Sequence, residues 1–325
     1  MPPGRSRSQA PVFLCLAYLC PTFLCPIFPG TAVTGVPQDQ DRRCRPGHTG
    51  PVNHDLGEFL RSRRARVRPD DVGLPGGGRR RVPGLRREEL ALLAGVSVDY
   101  YMRLEQGRTP AVSDAVLDAV SRVLRLDETE RAHLRNLVRP ARSRRSAPRR
   151  VRTGVLRLLE SMADVPAFVL GRRTEVLAWN SLAGALYGFD DAAPEMRDSA
   201  RHTFLDPDAR SFYREWDTVA ADQVAFLRLD AGRHPDDPLL AALVGELSVK
   251  DATFRELWAR HAVLEKTHGT KLLRHPVVGD LDLDYETFRL PGEPDLALCV
   301  YTAPVGSPTQ ERLRLLASWS APIGG

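Results

Sequence analysis

The residues best suited to specific chemistry lie on one short segment, 98–106, and that chemistry is hydrogen bonding to DNA bases. Tyr101 and Leu104 lie three positions apart, so on a helix they share one face and pack inward. The other faces are left for contacts with a major groove. The candidate base-reading residues there are Val98, Asp99, Tyr100 and Arg103. Arg103 suits this role because a guanidinium can bond guanine O6 and N7 together.

Arg103 has two alternative roles. It can contact a phosphate, or it can pair with Asp99 four residues earlier on the helix surface. A further group of side chains suits contacts with the phosphate backbone, which position a protein without reading base sequence. This group comprises Arg86, Arg87, Ser97 and Arg108.

The polar face of this helix can enter a major groove only if a sharp turn positions the helix against the one before it. Gly95 follows Ala91 by four residues and can adopt the left-handed conformation that ends a helix. Val96 then fills the corner, and Ser97 can cap the next helix by accepting a backbone N–H. The pattern predicts a helix-turn-helix, although an ordinary pair of packed helices would share several of these features.

Leu90, Ala91, Gly95 and the closing segment Leu104–Arg108 together resemble the DNA-binding domain of Cro/C1, or XRE, repressors. The resemblance covers about residues 56–138 and implies an all-α, lambda-repressor-like domain of five helices. The expected helices are Leu56–Arg66, Arg86–Ala94, Val98–Gln106, Ser113–Leu124 and Glu128–Leu137. In that family a Thr-Gln pair often opens the second helix and touches phosphate. Arg86 and Arg87 stand there in this chain, so the cap is lost but phosphate attraction is stronger.

Charge is divided unevenly along the chain. Residues 51–150 carry 22 Arg against 13 Asp and Glu, a net charge of +9, whereas residues 151–325 carry 19 Lys and Arg against 26 Asp and Glu, a net charge of −7. A basic domain joined to an acidic one places the attraction for DNA phosphate in the first domain and keeps the second away from it.

The first 51 residues differ in character from the rest of the chain. Their apolar stretch, 11–28, superficially resembles a secretory signal or a membrane anchor. Pro21 and Pro26 interrupt it, and none of the pieces between prolines approaches the roughly 20 residues that a membrane span requires. We therefore predict that residues 1–51 are a mis-assigned upstream extension or a disordered tail, and that the protein is cytoplasmic without a membrane partner.

The remaining boundaries follow from composition. Residues 52–138 form the expected DNA-binding domain. Residues 139–150, RPARSRRSAPRR, contain prolines and serines but no acidic residue, which indicates an exposed basic linker. Residues 151–325 are long enough for one further domain with its own core.

This second domain is expected to have an α+β fold. A helix over 153–162 precedes a hairpin of strands 167–170 and 175–179, and apolar residues then recur at helical spacing. Strands return at 279–290, where Leu and Tyr alternate with Asp and Glu, and at 296–302, which is apolar on both faces. The order predicts a sheet with helices over one face, PAS-like in outline.

Several short sequence segments of this domain resemble the ligand-binding domain of MmyB-like transcription regulators. They are Leu177–Asn180, Trp216, Trp258–His261, Lys271 with His275 and Pro276, Gly279, and Leu281–Tyr285. With the helix-turn-helix, the resemblance covers the chain from about residue 54 to its end. It implies a PAS-like pocket suited to a long apolar molecule such as a fatty acid.

The candidate pocket residues are apolar or aromatic side chains, together with cations that could pair with a ligand carboxylate. The first group is Phe168, Trp179, Phe212, Trp216, Phe226 and Trp258; the second includes Arg210, Arg228 and Lys271, as well as Arg260 and Arg274. Simple core packing is the alternative role of the aromatic residues. The sequence does not select one cation.

Three classes of function remain open, and a regulator is favoured. An enzyme would need a nucleophile–base pair, a phosphate loop or metal ligands, and we predict no catalytic residues, no metal site and no required cofactor. His261, His268 and His275 recur every seven residues, but Gly269 and Pro276 interrupt any helix that would align them. The third class is a DNA-binding protein whose second domain only dimerises. For either DNA-binding class we expect a homodimer on two-fold, pseudo-palindromic double-stranded DNA, because one recognition helix covers few base pairs.

Overall fold

The computed structural model describes residues 53–75, 84–109, 111–139 and 150–320. The predicted extension, 1–51, and nearly all of the predicted linker, 139–150, lie outside the described residues.

The described residues of the first domain form five α-helices, as the sequence predicts. They are α1 (His54–Arg66), α2 (Arg87–Ala94), α3 (Val98–Glu105), α4 (Asp114–Val123) and α5 (Glu128–Val138). Each predicted boundary lies within two residues of the observed one. A short 3₁₀ turn, Pro69–Val72, follows α1.

The turn between α2 and α3 has the predicted local geometry. Gly95 ends α2 with φ 67°, a left-handed conformation that favours glycine. Ser97 precedes α3, and its hydroxyl accepts a hydrogen bond from the backbone N–H of Tyr100 at 3.2 Å. Tyr101 and Leu104 are completely buried, so the inward face of α3 is the one that helical periodicity predicts.

The second domain contains eight helices and five strands within the described residues. The helices are α6 (Thr153–Ser161), α7 (Ser181–Tyr187), α8 (Ser199–Leu205), α9 (Ala209–Phe212), α10 (Trp216–Arg233), α11 (Pro238–Lys250), α12 (Ala252–Ala259) and α13 (Pro308–Ser320). The strands are β1 (Ala167–Gly171), β2 (Val176–Trp179), β3 (His268–His275), β4 (Gly279–Leu290) and β5 (Glu293–Thr302).

These strands form one antiparallel sheet in the order β2-β1-β5-β4-β3. The α+β prediction is confirmed, while the likeness to PAS domains stays a prediction. The sequence analysis missed β3, which contains two of the three spaced histidines. Lys271, Leu273 and His275 are buried in alternation with more exposed neighbours, so this segment has the period of a strand. Its mixed composition concealed that period.

Helices cover both faces of the sheet, which corrects the expectation of a single covered face. Phe168 and Cys299 belong to the main core with the helices α7–α12. Val169 alternates with Phe168 and therefore faces the other side, where it packs with Val155 and Leu159 of α6. The apolar stripe of α6 is what closes this second face.

The half-exposed strand 279–290 is confirmed with its predicted bounds. Leu281, Leu283 and Tyr285 are buried, whereas the acidic residues between them are exposed. Alternation of this kind directs one set of side chains into the core and leaves the carboxylates in solvent.

Candidate DNA-binding surface and ligand cavity

The outer face of α3 is open to solvent. Val98, Asp99 and Arg103 are exposed and Tyr100 is partly exposed, so all four predicted base-reading residues lie on the accessible side of the helix. The surface pair between Asp99 and Arg103 does not form: in the part of the chain that the structure describes, no carboxylate oxygen lies within 4.0 Å of the Arg103 guanidinium. That guanidinium is therefore available for a nucleic acid.

The predicted backbone contacts have different surroundings. Arg86 and Arg108 are exposed, and Ser97 is exposed with its hydroxyl already capping α3. The backbone N–H of Arg86 donates to the Glu89 carboxylate at 2.8 Å, but the Arg86 side chain accepts no hydrogen bond from the N–H groups of α2. The Arg87 guanidinium binds the carboxylate of Glu105 within the domain, although nearly half of the Arg87 side chain, 47%, remains exposed.

Glu105, at the end of α3, binds Arg87 and fixes the recognition helix. Its carboxylate accepts hydrogen bonds from Nε and Nη2 of Arg64 on α1, both at 3.1 Å, and from Nε and Nη2 of Arg87 at 3.1 and 2.9 Å. Only 2% of the Glu105 side chain is exposed. Burial by itself would raise the pKa of Glu105, but the hydrogen bonds from Arg64 and Arg87 lower it below its ordinary value.

The sequence analysis did not identify this carboxylate. The signal was the position of Glu105, four residues after the buried Tyr101 and next to the buried Leu104, which places it at the margin of the inward face. A charge at such a position requires partners within the domain, since an unpaired buried carboxylate is costly.

The second domain encloses a cavity of about 500 Å³. Its wall consists of α10, the end of β1, the segment before β3, parts of β4 and β5, and Asn136 of α5. The apolar lining residues are Leu170, Phe226, Leu229, Leu296, Ala297 and the buried Cys299. Burial raises the pKa of the Cys299 thiol, which keeps it protonated and suited to an apolar wall.

Charged residues at this cavity are mostly paired with one another. Arg172 donates to Asp230 at 3.0 Å, and Arg233 and Arg289 donate to Glu265 at 3.4 and 2.5 Å. Each of these three arginines thus has a carboxylate partner, although Nε of Arg172 is buried without an acceptor among the described residues.

Lys266 is the exception. Its ammonium group lies 3.4 Å from Oε1 of Gln223, and among the described residues no carboxylate oxygen lies within 4.0 Å of it. Burial lowers the pKa of Lys266 because the charged form loses hydration. The amide nitrogen of Gln223 is buried and also has no hydrogen-bond acceptor in the described part of the chain.

Lys271, one of the predicted cations, is buried on β3. Its ammonium group lies 5.2 Å from the centroid of the Tyr213 ring, within the range of a cation–π contact. Burial, followed by the charge of Lys266, lowers its pKa well below the ordinary value. The charge of Lys266 therefore disfavours the charged form of Lys271.

The structure does not bring the nine predicted pocket residues into one site. Phe226 lines the cavity described above, and Phe212 lines a second cavity of about 640 Å³ beside Tyr187 and His202. Phe168 and Trp179 instead pack against Phe189 in the aromatic core, with centroid separations of 5.6 and 5.5 Å. These contacts are the core role that the sequence analysis kept as the alternative.

Two predicted cations stack on predicted aromatic residues. The guanidinium of Arg210 lies 3.6 Å from the centroid of Trp216, and that of Arg228 lies 4.4 Å from the centroid of Trp258. These four side chains line neither cavity. The sequence shows which residues are aromatic and which are cationic. It does not show that each cation stacks on an aromatic ring of the protein itself.

Within the described residues, no group of three or more His, Cys, Asp or Glu residues is arranged to hold a metal ion. No helix in that part of the chain is both long and apolar enough to cross a membrane.

Comparison with known proteins agrees with both halves of the structure. Residues 55–134 match a helix-turn-helix domain, and residues 151–316 match the MmyB-like transcription regulator ligand binding domain. No curated protein matches the chain. The two matched regions correspond to the domain that exposes α3 and to the domain that encloses the cavity. The chain therefore belongs to the MmyB-like transcription regulators, DNA-binding proteins that join a helix-turn-helix to a ligand-binding domain.

Proposed function

We propose that an apolar small molecule with an acidic head group, such as a fatty acid, binds in the cavity beside α10 and controls DNA binding. The observation that carries this proposal is the Lys266 ammonium group at the wall of an otherwise largely apolar space of about 500 Å³. Cavities of roughly 300–1,000 Å³ hold small organic ligands, and a few placed polar groups fix their orientation.

Lys266 and Lys271 supply the head-group charge in this proposal. A ligand carboxylate close to Lys266 would give it the anionic partner that it lacks among the described residues and would favour the charged form of both amines. The unsatisfied amide nitrogen of Gln223 would add a donor. Lys266 was absent from the predicted set, and Lys271 was one of its members.

On the DNA side, Val98, Asp99, Tyr100 and Arg103 read bases, while Arg86, Ser97 and Arg108 contact the backbone. Exposure of the outer face of α3 supports this assignment. Arg87 contributes through its exposed portion only, since its guanidinium is bound to Glu105. A homodimer would place two copies of α3 on half-sites about one helical turn apart, so the expected operator is two-fold symmetric.

The experiment that tests ligand binding uses the full chain. Native mass spectrometry of the protein, purified without denaturation, is followed by organic extraction and by titration with dodecanoate and with dodecanol. A discrete apolar mass that leaves on extraction, with dodecanoate binding more tightly than dodecanol, is expected from a site with an ammonium group. Absence of a bound mass together with failure of both probes to bind would overturn the ligand proposal and favour a domain that serves only for dimerisation.

A further inference from the structure

The DNA-binding domain packs directly on the second domain through α5 and α10. Gly232 of α10 allows this approach, since a Cβ at that position would lie 2.6 Å from Nδ1 of His133. The His133 ring is 2% exposed and meets Phe59 edge-on, with ring centroids 5.0 Å apart. Burial, with Arg228 and Arg63 nearby, lowers the pKa of His133 to about 3, so the ring is neutral at this junction.

Buried polar groups reinforce the same junction. Nη2 of Arg63, on α1, donates to the backbone carbonyl of His261 at 2.6 Å. Nε2 of His261 lies 3.0 Å from a carboxylate oxygen of Glu58, and Nη2 of Arg228 also contacts the His261 ring. Separation of the two domains would leave the buried Arg63 guanidinium without the His261 carbonyl and the His261 ring without Glu58, whereas the contact between Arg228 and His261 lies within the second domain.

Asn136 connects this junction between the two domains with the cavity. It follows His133 by three residues on α5, and it lines the cavity together with residues of α10. The carboxamide can both donate and accept, yet within the described residues it makes no hydrogen bond. The cavity therefore contains one polar group that belongs to the DNA-binding domain and is free to bind a ligand.

We propose that the ligand site is composite: a ligand in the cavity contacts Asn136 and therefore binds the docked arrangement of the two domains more tightly than a separated one. This inference rests on the proposed function, because it concerns the same cavity. It assigns the coupling to a direct contact between domains rather than to the linker, 139–150. By linkage, any weakening of the docked arrangement lowers ligand affinity, even through a residue that does not touch the ligand.

The test measures dodecanoate affinity by calorimetry for the full chain and three variants. Asn136→Ala removes the proposed contact and keeps a helix-favouring residue, and we expect a loss of about three- to tenfold in affinity, as for one hydrogen bond. Gly232→Ala crowds the junction without lining the cavity, and we expect a loss there as well. Gly245→Ala on α11 is the matched control, since nothing lies within 4 Å of its added Cβ, and its affinity should equal that of the parent chain.

The outcomes separate the two proposals. Equal affinity in the parent chain, Asn136→Ala and Gly232→Ala would overturn the composite site and leave the proposed function standing. Failure of the parent chain to bind the probe would overturn both. Asn136 is partly exposed on α5, so its variant should fold even if Gly232→Ala does not, and its result alone decides whether Asn136 contacts the ligand.

Discussion

Arg63 of the first helix donates a buried hydrogen bond to the backbone carbonyl of His261, 198 residues later in the chain, at 2.6 Å. This bond crosses from the domain that exposes α3 to the domain that encloses the cavity. A mechanism that acts only through the linker needs no such contact. The bond therefore supports coupling through the docked surfaces.

Removal of the exposed guanidinium of α3 should relax sequence preference. We expect Arg103→Ala to cost about 1–3 kcal/mol at the preferred site and much less at unrelated sequences, because one bidentate base contact is lost. Fluorescence anisotropy on a site selected from random DNA measures this difference. Arg314→Ala, an exposed arginine of α13, is the control. Unchanged discrimination in Arg103→Ala would remove it from the base-reading set.

A phosphate contact should behave differently. Arg108→Ala should weaken binding to all sequences alike and should reduce the slope of log affinity against log salt by about 1, since one counterion fewer is released. Titrations at several salt concentrations give the slope. A sequence-dependent loss would instead place Arg108 among the base-reading residues.

The carboxylate that holds the recognition helix should be important for stability. Glu105→Gln leaves the Arg64 and Arg87 guanidinium groups without their anion, and we expect a loss of about 3 kcal/mol in the free energy of unfolding. Urea denaturation measures it, with Glu256→Gln on the exposed surface of α12 as the control. Equal losses in the two variants would show that the buried ion pairs are not specifically stabilising.

The same substitution has a defined pH dependence. Because the folded-state pKa of Glu105 is lowered, its stabilising contribution is complete above the ordinary value of 4.5 and is lost as the pH falls through the folded-state value. The stability difference between the parent chain and Glu105→Gln should therefore shrink below about pH 4.5. A difference that stays constant through this range would contradict the assigned cause.

Lys266, at the cavity, should increase the affinity for dodecanoate and lower the stability of the empty protein. Lys266→Met keeps the length of the side chain and removes the charge, so the empty protein should gain about 1 kcal/mol while dodecanoate affinity falls at least tenfold. Dodecanol affinity should change little. Lys250→Met provides the matched control, because Lys250 is exposed on α11 and pairs with Glu246. Equal losses for both probes would place the head group elsewhere.

Local signals predicted the first domain well and the cavity poorly, for a physical reason. The features of the helix-turn-helix depend on residues close together in the sequence, namely Gly95, Ser97 and the spacing of Tyr101 and Leu104. Such local features can be predicted from the sequence alone. The contacts of Lys266, Asn136 and Glu105 depend on residues far away in the sequence. The aromatic residues of the second domain illustrate the same limit, since periodicity identifies buried side chains without showing whether they pack on one another or on a ligand.

The strand β3 shows where a pattern was present but obscured. Its inward residues are Lys271, Leu273 and His275, of which two are polar, so an apolar alternation could not reveal it. A lysine on the inward face of a strand is itself unusual, and Lys271 lies on the same face of β3 as Leu273, which belongs to the main core.

The most direct test of ligand control is the DNA affinity of the full chain, measured by anisotropy on the selected operator with and without dodecanoate at a concentration that calorimetry shows to be saturating. The account predicts a change of about fivefold or more in the dissociation constant, the usual scale of coupling between two sites. Identical affinities with the probe demonstrably bound would contradict it, leaving a DNA-binding protein whose second domain does not regulate it through this cavity.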